Sequence, residues 1–128
     1  GNIYEQLLYD NMVACPSLLV KKQCLEATGY LDTSLKALED YDLALRLGKN
    51  CIAGYVDEPL IDVKFSTTGV SSNYVNYLVS SCVILGKYRD DYLKTDTFNH
   101  RIEIILRDAR RCGVADQIVK MLELVLKG

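Results

Sequence analysis

Apolar and polar positions change their rhythm near residue 72: short runs of mixed period come before it, and a three- to four-residue repeat follows almost unbroken. In the first stretch, Ile3, Leu7 and Leu8 predict a short helix over Ile3 to Tyr9. Asn11 to Val20 predicts extended chain around Pro16. Within it Ser17-Leu18-Leu19-Val20, apolar after its first residue, has the pattern of a strand covered on both faces. Lys21 to Thr28 suits a short helix with Gly29 as its C-terminal cap, and a turn follows over Tyr30 to Lys36. Leu38, Tyr41, Leu45 and Gly48 share one face of a helix over Glu39 to Lys49, where Asp42 and Arg46 stand one turn apart and can pair. Cys51 to Phe65 predicts extended structure, with Pro59 marking an edge or a break.

Beyond residue 72 the pattern is helical. Tyr74, Tyr77, Leu78, Leu85 and Tyr88 predict one long amphipathic helix over about 73 to 93. Phe98, Ile102, Ile105 and Ala109 predict a second, stopped by Gly113, and Val114, Ile118, Met121, Leu122 and Val125 a third. The expected fold is therefore an α/β unit over residues 1–71 followed by an α-helical tail of about three helices over 72–128. The tail's apolar stripes are packing faces and hold no sharp chemistry.

Charge narrows the partners. Lys and Arg number 15 against 17 Asp and Glu, a net charge of −2, whereas a protein that lives on phosphate contacts carries a basic excess. No nucleic-acid partner is expected. Five cysteines at 15, 24, 51, 82 and 112 include no pair at zinc-knuckle spacing, and His100 is the only histidine. They are expected to be reduced, mostly buried thiols of a cytoplasmic protein, with no metal site in this chain. No run reaches the ~20 apolar residues of a membrane span, so any membrane contact, for instance at the inner face, is expected to be peripheral.

The acidic string Leu38-Glu39-Asp40-Tyr41-Asp42-Leu43 is the most informative chemistry in the chain. Its simplest meaning is a helix start, where carboxylates oppose the positive end of the dipole. A metal-binding Asp40/Asp42 pair is disfavoured, because residues two apart on a helix point about 200° apart.

The order of motifs around that string resembles the second half of the catalytic domain of family 2 glycosyltransferases, which have the GT-A fold. The matching positions are Gly29-Tyr30-Leu31-Asp32, then Glu39-Asp40-x-Asp42-Leu43-x-x-Arg46, then Glu58-Pro59-Leu60. The resemblance spans residues 11 to about 71. It implies that residues 1–71 are the acceptor-side, C-terminal part of an inverting enzyme that moves a sugar from a nucleotide-sugar donor to a hydroxyl acceptor. Asp40 is then the general base, Glu39 orients the acceptor beside it, and Lys64 and Asp42 are the substrate-binding candidates. A divalent metal, Mg or Mn, is implied for the full-length parent and none for this chain.

Two departures accompany the likeness. Leu31 stands where the family has Phe, and the family's Tyr-Arg-x-His stretch becomes Val63-Lys64-Phe65-Ser66, keeping the basic residue only as Lys. The nucleotide-binding β-α-β units and the family's Asp-x-Asp are expected upstream, so the isolated chain is expected to be inactive. A half-domain of this kind should also expose apolar surface and self-associate through it, with Leu18, Leu19 and Val20 as candidates. The alternative reading is a non-catalytic α/β plus helical binding or dimerisation module, in which the acidic string is only a capped helix.

Overall fold

The computed structural model describes residues 1–64, 66–68 and 73–128. The regular structure among them is helical throughout. Helix α1 (Tyr4–Tyr9) leads through a 3₁₀ turn (Cys15–Ser17) to α2 (Lys22–Thr28) and α3 (Glu39–Asn50). The tail follows as α4 (Tyr74–Lys87), α5 (Arg89–Lys94), α6 (Phe98–Arg111) and α7 (Ala115–Lys127).

One hydrophobic core joins the two halves of the sequence. Leu7 and Leu8 of α1 and Tyr41 and Leu45 of α3 belong to the same cluster as Leu78, Leu85, Ile105 and Ile118 of the tail. Helices α4, α6 and α7 pack on one another, and α1 and α2 both lie against α3. The α1–α3 approach explains Gly48: a Cβ there would stand 3.1 Å from Leu7 Cδ1 and 3.4 Å from the Tyr4 Cα. At the end of α6, Gly113 takes φ +71, and the Val114 N–H reaches back to the Ala109 carbonyl. That is the Schellman stop its position in the sequence predicts.

The α/β unit expected for the first 71 residues does not form: no strand occurs among the described residues. Ser17 belongs to the 3₁₀ turn that Pro16 helps to start, and Leu18 continues in extended geometry. Leu19 is 98% exposed. Residues 54–64 are likewise exposed without regular structure. A strand is defined by a ladder to a neighbour, and an extended run with no neighbour leaves its amides to water. The apolar run that predicts a doubly covered strand therefore specifies extension, while pairing needs a second chain segment. Phe65 and the expected boundary at residues 71 and 72 lie outside the described residues. No described helix is long and apolar enough to cross a membrane.

The single helix expected over 73–93 is two. Tyr88, at φ −110 and ψ 21, separates α4 from α5. Its ring is buried, and its hydroxyl donates across the core to Asp42 at 2.9 Å. A tertiary hydrogen bond is thus made at the residue where helical periodicity is interrupted.

Four tyrosines tie the tail to the first half. The Tyr41 hydroxyl donates to the Leu7 carbonyl and shares a hydrogen bond with Tyr92 at 3.1 Å. The Tyr4 hydroxyl donates to Asp91 at 2.8 Å, where the Lys49 ammonium also bonds at 2.6 Å. Burial raises the phenols of Tyr4, Tyr41, Tyr88 and Tyr92 above their ordinary value and pushes the Cys82 thiol up to about 11. The other cysteines are not buried as expected: Cys24 and Cys51 are half-buried, and Cys15 and Cys112 are exposed.

An unfolded chain ionises these groups where the folded one keeps them protonated. Their stabilisation is therefore fully present below the unfolded values and lost as pH rises. The urea midpoint should hold steady from neutrality to about pH 9 and then fall, and Tyr92→Phe should make that fall shallower. Equilibrium unfolding at a series of pH values checks both. A second expectation comes from the uncovered apolar chain at Leu19, Ile52, Tyr55 and Val56. Light scattering should show mass rising with concentration, and Leu19→Asp should reduce the rise.

Candidate functional site

The acidic string occupies the first turn of α3, as its composition predicts. Leu38, just before it, adopts φ 60 and ψ 22, left-handed backbone that a branched apolar residue rarely takes. Such strain costs on the order of 1–3 kcal/mol and persists where the surroundings over-determine it. Here they do, because Asp40, Tyr41 and Asp42 are each committed to a different neighbour.

Glu39 is partly exposed. Asp40, also partly exposed, accepts the Cys15 N–H on Oδ2 at 2.9 Å and the Tyr41 N–H on Oδ1 at 2.8 Å. A carboxylate has about four lone-pair sites, so each oxygen keeps room for another donor. The Cys15 contact fastens the 3₁₀ turn to the start of α3 and fixes the direction in which Asp40 points.

Asp42 turns the other way and is fully buried. Its Oδ2 receives Arg46 Nε at 3.0 Å, and its Oδ1 receives Lys87 Nζ at 2.7 Å and the Tyr88 hydroxyl at 2.9 Å. The rest of the Arg46 guanidinium donates to the carbonyls of Thr28 at 2.9 Å, Gly29 at 3.0 Å and Tyr30. These carbonyls close α2, and Gly29 at φ +86 turns them toward the arginine. Asp32 accepts the Ser34 N–H and hydroxyl, which hold its carboxyl below the usual range, and lies 3.5 Å from Lys87. The Gly29-to-Asp32 and Glu39-to-Arg46 motifs thus form one hydrogen-bonded unit.

The expected site residues part company. Glu39 and Asp40 stay together at a partly open helix start. Asp42, expected as a substrate contact, has both oxygens engaged by protein groups. Lys64 is exposed in the irregular 54–64 segment, and no hydrogen bond or ion pair among the described residues joins it to α3. Lys87 and Tyr88 complete the unit from the tail, where sequence reasoning placed only packing. An interaction 45 and 46 residues away from Asp42 leaves no spacing signal.

Among the described residues no three His, Cys, Asp or Glu side chains are placed to hold a metal ion. Asp40 and Asp42 face different partners and so do not share one ligand position. Comparison with family models, curated proteins and solved structures found no match to the chain.

Removing the Asp42 carboxylate would leave Arg46, Lys87 and the Tyr88 hydroxyl without their common acceptor. Asp42→Ala should cost about 3–5 kcal/mol of unfolding free energy, the range for breaking a buried ion pair on one side. Lys87→Met should cost less, since the ammonium is partly solvated. Urea denaturation of the two variants checks the order.

Proposed function

We propose that this chain is the acceptor-side part of an inverting glycosyltransferase, with Asp40 as the general base. The reading is carried by one observation: a partly open carboxylate at the start of α3, aimed by the Cys15 N–H and backed by the Asp42–Arg46 unit. A base in such a transfer must reach the acceptor hydroxyl and take its proton as the oxygen attacks the anomeric carbon. Asp40 has the free acceptor capacity and the fixed mount for that step. Glu39, beside it and free of internal hydrogen bonds among the described residues, can hold the acceptor.

On this reading the nucleotide-sugar donor is held by a segment outside these 128 residues. A divalent metal would neutralise the leaving diphosphate there. The acceptor is a hydroxyl that reaches Asp40. The second reading, a binding or dimerisation module, draws on the exposed apolar chain at Ile52 to Val56.

The two readings separate on Asp40. In a polypeptide that joins this chain to its donor-binding segment, Asp40→Asn should lower turnover by about 10²–10⁴-fold with donor affinity nearly unchanged. Glu39→Gln should cost less. Transfer assays beside calorimetry with the nucleotide-sugar measure both quantities. Transfer at the parental rate by Asp40→Asn would leave Asp40 a helix-terminal carboxylate and favour the module.

A further inference from the structure

A second polar feature lies away from Glu39 and Asp40, where α6 meets the end of α1. Arg101 is only 5% exposed. Its guanidinium sits over the Tyr41 ring, 5.6 Å from the centroid. Among the described residues no carboxylate lies within 4.0 Å of it, and none accepts a hydrogen bond from its side chain. It borders a half-open cavity of about 410 Å³ shared with Tyr9, Asp10, Tyr77, His100, Arg107 and Asp108. The other cation there is already engaged, since Arg107 Nε donates to Asp108 at 3.0 Å.

A buried cation without a counter-ion is costly, and a ring face offsets only part of that cost. A guanidinium is planar, always charged and matched in shape to carboxylate and phosphate oxygens. The cavity is within the range that takes a small ligand. Two of its lining rings, Tyr9 and His100, stack on each other at 4.3 Å with 10° between their planes.

From this arrangement we infer that the cavity is a binding site for a small oxyanion, anchored by Arg101, with the carboxylate or phosphate group of the ligand on the guanidinium and its body beside the Tyr9–His100 pair. The site shares no residue with the proposed base and stands whether or not that reading does. The competing internal partner is Asp10, an exposed carboxylate on the rim of the same cavity.

The test is a titration of the 128-residue chain, followed by the Arg101 side-chain Nε–H resonance. Inorganic phosphate, acetate and chloride are added in turn at constant ionic strength. Saturable shifts with phosphate or acetate, and none with chloride, are expected. Tighter phosphate binding would identify a phosphate ester as the natural class, and tighter acetate binding a carboxylate. Arg101→Lys, which keeps the charge but loses the fork, should weaken binding by about tenfold or more. Asp10→Asn, a rim variant that leaves Arg101 in place, should bind at least as tightly as the parent.

Non-saturating shifts, or equal shifts with chloride, would mean that the guanidinium only reaches water, and would overturn the inference. So would loss of stability in Asp10→Asn together with no phosphate response in the parent, because Asp10 would then be the partner.

Discussion

Asp42 is a carboxylate with no exposed surface, and taking it out of water costs several kcal/mol unless charge and hydrogen bonds replace the lost solvent. The replacement comes from two places in the sequence at once. Arg46 lies one turn along the same helix, and Lys87 and Tyr88 lie at the junction of α4 and α5. Because Arg46 also gathers the three carbonyls that end α2, the buried charge fixes α2, α3 and the tail relative to one another. The helical tail is in that sense part of the acidic motif, and deleting it would strand Asp42.

The local half of this arrangement is legible in the chain. Asp42 and Arg46 at i and i+4, Gly29 after a short helix, and acidic residues crowding a helix start each have a mechanism that works over a few residues. The bounds of α1, α2, α3, α6 and α7 follow from such signals to within about two residues. What fails is whatever depends on a distant partner. The run Ser17 to Val20 has a strand's composition and extended backbone at Leu18, yet no strand among the described residues pairs with it. Tyr88 fits a helical stripe by spacing, yet it lies between two helices with its hydroxyl on Asp42.

The same division runs through the candidate sites. Glu39 and Asp40 can be singled out from the string itself, since their position on a helix start is local. Asp42 carries the same motif label but differs in fate, and its burial depends on Lys87, which no pattern connects to it. Arg101 was hidden altogether. On the amphipathic α6 it is one arginine among several, and only packing against Tyr41 distinguishes it from the exposed Arg110 and Arg111. A lone basic residue at an apolar helix position is the available signal, and snorkelling side chains make that signal weak.

Successive residues of an α-helix are turned by about 100°, so a string of four polar or aromatic residues cannot serve one centre. In α3 the consequence is visible residue by residue. Asp40 points to the 3₁₀ turn and the opening beside it, Tyr41 into the core beneath the Arg101 guanidinium, and Asp42 onto Arg46 and Lys87. Two carboxylates that look like a metal pair in the sequence are held apart by the helix that carries them. Between them, Tyr41 links the proposed base to the oxyanion cavity through the chain and through its own N–H, which donates to Asp40 Oδ1. Its hydroxyl is bonded to Leu7 and Tyr92, so the ring under Arg101 is itself fixed. One turn of helix thus orients a carboxylate outward, buries a second one as structure, and supplies the aromatic floor of a separate cationic site.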